Sequence, residues 1–453
     1  MNSRPKIPWS HGDKFLMLML GLVLPLSLAA FFWSRALDQN PTVSVPTPTM
    51  PTPNARSYYI AATAAIVDSS KVDNANGWWN PATKPSGDNH FYSLADKEKL
   101  VAENAGAVKT LHDGFRYTYQ ELPARSFSAM FPHYQEIRGL ARLLSLQAQT
   151  DAERGDWGGS INADFDAIQL GETMPRGGPL IGMLVGDACQ AIGRRHAWDA
   201  VDHLSAAEAR AAARRLETIR AAHVPFADVL QEEEWSRQAG LLELMQRRDW
   251  SGALANAVTP DPNGGQNGGQ NGNSPGQWAL ATRIRLAGKR SIMANYTHYT
   301  DQTIANAHQP YASRPTAPVI PDDPIDQLLL PIFAGVQVST VNADTQNALL
   351  LTLLALRAYR LDHGTDPPAL SVLVPRYLQA VPADPFALSG PLRYKRVGAN
   401  PLLYSVGPDG RDDGGRAIFD RTIPAPTNAD GYERRHAVQE NSVGDIVAGV
   451  NTN

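Results

Sequence analysis

ALRAYRLDHGTDPPALSVLVPRYLQAVPADPFALSGPLRYKRVGANPLLYSVGPDGRDDGG, residues 355–415, carries the densest structural signal in the chain. It begins inside a helix read over Asp344–His363, where Leu349, Leu350, Leu353, Leu354, Leu356, Ala358 and Leu361 make the surface apolar almost all round. Such a helix needs partners on more than one side, a sheet on one flank and helices on another. Gly364 is a natural C-cap, and Pro367 and Pro368 forbid continuation. A short helix over Ala369–Leu378 and a turn at Pro382–Pro385 come next. Two alternating segments then read as strands, one through Leu392, Tyr394 and Arg396 and one through Leu403 and Ser405. Gly398-Ala-Asn-Pro401 supplies the turn between them, and an Asp/Gly loop closes the stretch.

The landmarks Tyr359-Arg-Leu-Asp-His-Gly364, Pro382-Ala-Asp-Pro385, Pro391-Leu-Arg-Tyr394 and Tyr404-Ser-Val-Gly-Pro-Asp-Gly410 occur in a telling order. In this they resemble the globular domain of type II secretion major pseudopilins, the type IV pilin-like subunits. The resemblance implies a long helix packed on a small antiparallel sheet, with calcium bound by the loop after the last strand. Carried across, Asp409, Asp412 and Asp413 become the Ca²⁺ ligands, with the carbonyl of Val406 a weaker one. The chemistry agrees, because Ca²⁺ takes 6–8 oxygens and these carboxylates sit close together on a Gly-rich turn. The spacing is not that of an EF-hand: counted from Asp409, loop position 3 is Arg411 and position 9 is Ala417. Pilin subunits also carry a processing motif, a Gly before Phe or Met with an inner Glu, on the helix that enters the globular domain. No such motif stands here, so the module reads as a borrowed domain and not as a filament subunit.

The remainder resembles bacterial helical membrane-anchored proteins. Phe15–Ser34 is uncharged over 20 residues. At about 1.5 Å per residue it matches the roughly 30 Å hydrocarbon core of a bilayer. Arg4, Lys6 and Lys14 precede it, while Arg35 and Asp38 cancel behind it, so the N-terminus is expected in the cytoplasm. A cleaved signal peptide is the rival reading. Five prolines in Asn40–Asn54 read as an extended stalk. Asn263–Gly276 is a low-complexity insert expected to be disordered, and Gln309–Pro324 is a third break.

Between these breaks the pattern is helical, with apolar residues recurring at three and four positions. Helices are expected over Tyr134–Arg154, through Ile161–Leu170, and over Gly178–Asp202, Leu204–Ala222, Phe226–Trp250 and Trp278–Ala307. Ser205 and Glu208 form a capping box. Arg154-Gly-Asp-Trp157 and Arg247-Arg-Asp-Trp250 echo one another as helix–turn–helix junctions in which Asp caps and Trp packs.

The search for chemistry is sparse. No zinc-type His/Cys cluster, serine elbow or phosphate loop occurs. Cys189 is the only cysteine and lies among apolar residues, so it reads as a packed thiol. His133 and His112-Asp113 read as structural or surface groups. Glu232-Glu233-Glu234 on a helix points three ways and reads as a solvated face, as do Arg210, Arg214, Arg215 and Arg220. With 41 basic and 45 acidic residues and no long basic run, nucleic acid is not an expected partner.

The expected protein is mainly α. It comprises a cytoplasmic segment 1–14, a transmembrane helix 15–34, a stalk 35–54, and an irregular, solenoid-like α-helical domain 55–307 with its insert 263–276. A linker 308–324, a pseudopilin-like α+β domain 325–431 and a polar, poorly ordered tail 432–453 complete it. The expected location is the bacterial inner membrane, single-pass, with the bulk extracytoplasmic. The expected role is interaction or scaffolding with an envelope protein partner, without catalysis. The alternatives are an accessory part of a type II secretion or pilus-like system and an extracytoplasmic enzyme.

Overall fold

The computed structural model describes residues 11–76, 92–258, 275–314, 334–397, 400–419 and 436–452. The expected cytoplasmic residues 1–10, nearly all of the insert and most of the Pro-rich linker lie outside these. The described chain is mainly helical, as expected, and divides into two compact units.

The first unit joins Met1–Val45 to Arg237–Tyr299 and Ile320–Pro331. Its N-terminal part is helical in three consecutive pieces: α1 (His11–Leu18), a π-helical turn (Met19–Val23) and α2 (Leu24–Leu37). Every described side chain from Phe15 to Ala36 is exposed. No helix among the described residues is both long and apolar enough to cross a membrane. At its foot Asp38 accepts a hydrogen bond from Trp250 Nε1 at 2.9 Å and pairs with Arg285 at 3.0 Å. Trp250 opens α12 (Trp250–Val258) and is buried, while Arg285 belongs to α13 (Pro275–Ala287). The single helix expected over Trp278–Ala307 is two, because Gly288 adopts a left-handed φ of +80° and ends α13 before α14 (Lys289–Ala307). Likewise α11 (Phe226–Met245) stops short of Trp250.

The second unit contains Pro46–Ser236, Thr300–Val319 and Ile332–Asn453. Its centre is a trio of long helices: α7 (Pro132–Glu153), α8 (Trp157–Thr173) and α9 (Leu180–Ala200). α8 and α9 approach so closely that a Cβ on Gly171 would strike the Gly186 carbonyl and the reverse, so only glycine fits at both places. α8 is buried on two sides. Ile161, Phe165 and Ile168 face one apolar core, and Ala167, Leu170 and Met174 serve another, the one built with α3 (Ala55–Ala64), α4 (Ser69–Ala75), α5 (Leu94–Glu103) and α6 (Ala105–Gly114). Caps hold the joints as read: Asp156 accepts from Gly159 N–H at 2.8 Å, and Ser205 and Glu208 close a reciprocal box at the start of α10 (Ala206–Arg220). At the second junction the Asp249 carboxylate instead engages Arg247.

The Ala355–Gly415 stretch folds as a helix, a short 3₁₀ turn and two strands. Helix α15 (Ala334–His363) is ten residues longer at its N-terminus than the span expected from Asp344. β1 (Arg393–Val397) pairs antiparallel with β2 (Asn400–Ser405), Arg393 opposite Tyr404. Ala369–Leu378 holds a 3₁₀ turn, Leu370–Leu373, in place of a helix. The Pro382–Pro385 turn is tied to β2 by Asp384, whose buried carboxylate accepts from Ser405 Oγ at 2.6 Å and Val406 N–H at 3.0 Å.

Two expectations need correction. The chain end is no loose polar tail, since β3 (Ile446–Val447) adds to β2 and Asp445, Ile446 and Asn451 are fully buried. Asn451 donates to the carbonyls of Ile418 and His436, and Gln346 of α15 donates to its carbonyl. Nor do the helical and sheet regions form separate cores. Phe165, Ala213 and Leu216 share one apolar cluster with Leu354, Phe386, Leu403 and Ile446, so 46–236 and 334–452 are one folded body.

Candidate functional site

The first half of α15, Val336–Asn347, is polar in sequence, yet Thr340, Asn342, Thr345, Gln346 and Asn347 are buried. Buried polar groups require partners, and those of Thr340 and Asn347 lie across the seam on α8 and α9. Thr340, Asp344 and Asn347 lie on one face of α15 at helical spacing, as Asp187, Gln190 and Arg194 do on α9. Thr340 Oγ1 donates to Asp187 Oδ2 at 3.1 Å. Asn347 Nδ2 donates to Gln190 Oε1 at 2.8 Å and to Glu172 Oε1 at 2.9 Å, and Asn347 Oδ1 accepts from Arg194 Nη1 at 2.9 Å. One side-chain amide therefore joins three helices.

Glu172, in the last turn of α8, turns its second oxygen to His223 Nδ1 at 3.0 Å. His223 sits in the loop after α10, a loop tied down by Arg176, which donates to the Ala222 carbonyl at 3.3 Å. Asp344 Oδ1 approaches the same imidazole nitrogen at 3.8 Å. Among the described residues, Glu172, His223 and Asp344 are the group of three His, Cys, Asp or Glu whose ligand atoms all lie within 4.8 Å of one another. Glu172 is closed in by protein, with a side chain 2% exposed, while His223 and Asp344 reach solvent at 29% each.

The electrostatics are those of a partly buried charged cluster. Burial works to lower His223, but the Asp344 and Glu172 carboxylates outweigh it and lift the imidazole to about 9. Burial pushes Asp187 up to about 7 against the pull of Thr340 and Arg194. The Arg194 guanidinium is lowered to about 10 by burial, even with Asp187 and Glu172 near it. A further fully buried carboxyl, Asp164 on α8, has no hydrogen-bond partner at either oxygen, and burial alone drives it well above the carboxylate range.

The expected calcium residues sit on one loop after β2, but their oxygens do not converge. Asp412 Oδ1 accepts from Tyr404 OH and Gly414 N–H, both at 2.9 Å, and its other oxygen faces Arg393 at 3.6 Å. Asp413 pairs with Arg416 at 3.0 Å, and Asp409 accepts from the Arg411 N–H. Val406 uses its N–H on Asp384. The loop is shaped from beneath by Asp445, whose buried carboxylate accepts from the N–H groups of Asp413, Gly415 and Arg416. As placed, the three carboxylates do not form one cation cage.

The remaining polar residues resolve into structural work. His133 meets Glu121 Oε2 at 2.8 Å and His112 meets Asp166 at 2.7 Å. Cys189 is fully buried, its thiol pushed up to about 12 by burial. The glutamate triplet points three ways but is not a solvated face. Glu232 pairs with Arg125 at 3.1 Å, Glu233 accepts from the Leu180 N–H at the start of α9, and Glu234 accepts from Gln231. Arg210 and Arg215 bind Asp362 and Asp166, each at 2.5 Å, tying α10 to its neighbours.

Sequence reading missed the Glu172–His223–Asp344 group because its members are far apart in the chain. One signal existed: a polar stretch, Val336–Asn347, running straight into an apolar helix with no turn residue between them. Set against known proteins, the chain matches no family model, no curated protein and no solved structure.

Proposed function

We propose that the protein is an extracytoplasmic interaction or scaffold protein of the bacterial envelope, anchored in the inner membrane by its N-terminal apolar segment. The observation that carries this reading is the exposure of every described side chain from Phe15 to Ala36, Phe31, Phe32 and Trp33 among them. A run of large apolar side chains this long costs free energy in water at roughly 25 cal/mol per Å², which a bilayer removes. The charges before the segment favour a cytoplasmic N-terminus, with the stalk and the second unit on the far side. Calcium at Asp409, Asp412 and Asp413 belongs to the same proposal; it requires the carboxylates to leave Arg393, Arg416 and Tyr404.

Flotation with liposomes tests the anchor. The full chain is expected to rise with the vesicles and to resist alkaline extraction, while a chain lacking residues 1–45 stays in the soluble fraction. If both chains behave alike, the anchor is refuted. Affinity capture from detergent extracts is expected to return a specific envelope protein, and its absence would remove the scaffold role. A second reading, an accessory part of a secretion or pilus-like system, is favoured by the long helix lying against β2 of the antiparallel β1–β2 pair. Unimpaired secretion after loss of the gene would discard it.

A further inference from the structure

We propose that Glu172, His223 and Asp344 form a binding site for a divalent transition-metal ion of the zinc class. This is independent of the membrane reading and of the acidic loop, which lies on other elements. The donors are one imidazole nitrogen and two carboxylates with no thiolate, a set that suits Zn²⁺ and its first-row neighbours.

The geometry carries the inference. With bonds of about 2.0–2.2 Å, tetrahedral zinc holds its ligand atoms about 3.4 Å apart. His223 Nδ1 stands 3.0 Å from Glu172 Oε2 and 3.8 Å from Asp344 Oδ1, on either side of that value. The three ligands come from three separate elements: the end of α8, the loop after α10 and the middle of α15. An ion would therefore join parts of the chain that are distant in sequence.

The surroundings have the form of a metal's outer support. Asn347 Nδ2 fixes Glu172 Oε1 at 2.9 Å, which leaves Oε2 turned toward His223. Asn347 is in turn held by Arg194 and Gln190, so the orientation of Glu172 is set two bonds deep. Glu172 closes the inner side of the site, while the partial exposure of His223 and Asp344 leaves an outer side where water could complete the coordination. Without an ion, the same atoms make a His–Glu–Asp ion pair, and that is the reading the experiment must separate.

The full chain in detergent, stripped with a chelator, is dialysed against Zn²⁺, and retained metal is measured together with the visible absorption of the Co²⁺-substituted protein. The expected result is a single tightly held ion per chain and a Co²⁺ spectrum of four-coordinate N/O character. His223→Gln, Glu172→Gln and Asp344→Asn are each expected to abolish the spectrum. Asn347→Ala, which keeps all three ligands, is expected to weaken retention by roughly ten-fold or more. The combined variant Asp409→Asn, Asp412→Asn, Asp413→Asn is expected to bind as wild type. Circular dichroism identifies any variant that fails to fold, and the wild-type Co²⁺ spectrum does not depend on the variants. No retained ion in the wild type, or equal retention in folded His223→Gln, overturns the site.

Discussion

At the scale of single residues, Glu121 shows how much one buried carboxylate organises. It is 1% exposed and accepts from Tyr119 OH at 2.7 Å, the Leu122 N–H at 2.8 Å and His133 at 2.8 Å, with Arg56 as its ion pair. Burial works to raise its pKa, but those bonds and the Arg56 charge prevail and bring it down to about 2. A carboxyl depressed on folding contributes stability that is present above its unfolded pKa of about 4.5 and is lost as pH falls toward 2. The contribution amounts to roughly 3 kcal/mol. Glu121→Gln is expected to lose about that much at pH 7, and its stability should vary less between pH 4.5 and 2; urea melts across that range measure both. An unchanged acid limb would show that Glu121 does not carry the acid sensitivity. In sequence, His133 was recognisable as structural, but its partner was not, because Glu121 lies in a loop with no periodicity.

At the scale of elements, the acidic loop is where family resemblance and geometry part. The apolar half of helix α15, strands β1 and β2 and the Pro382–Pro385 turn follow from local signals: apolar coverage, alternation, and Gly and Pro placement. The loop's carboxylates, though, meet arginines and backbone N–H groups, and Asp445, far along the chain, dictates its course. If Ca²⁺ binds there, excess Ca²⁺ should raise the melting temperature of the full chain, and Asp412→Asn should erase the rise. A melting temperature indifferent to both Ca²⁺ and chelator would leave the loop held by Arg393, Arg416 and Asp445 alone. The polar half of α15 extends ten residues ahead of the span expected from Asp344. The hydrogen bonds of Thr340 and Asn347 go to α8 and α9, and that of Gln346 to Asn451, which no local rule foresees.

At the scale of the whole molecule, one of the two apolar cores that meet at α8 is fed by both the helical and the sheet regions of the second unit. Leu354 and Leu356 of α15 join Ala213 and Leu216 of α10, while Leu403 and Ile446 close the other side. A core shared in this way predicts that the helical and sheet regions unfold together. In calorimetry of a chain lacking residues 1–45, one transition is expected to span 46–236 and 334–452. Truncation after Arg435 removes Ile446, Asn451 and Asp445; it should lower that transition as a whole, without deleting a separate one. Two well-resolved transitions would restore independent domains.

The sequence by itself determined the mainly helical class, the bounds of α7, α9 and α10 to within a few residues, the antiparallel β1–β2 pair and the apolar N-terminal run. Caps, glycines, prolines and short-range periodicity act within a few residues, so they are written locally. Only the tertiary structure decided the core shared by helices and sheet, the third strand at the chain end, the arginine and backbone partners of the acidic loop and the meeting of Glu172, His223 and Asp344. Those depend on which helix faces which, and burial imposes its cost on polar groups only after the faces have met.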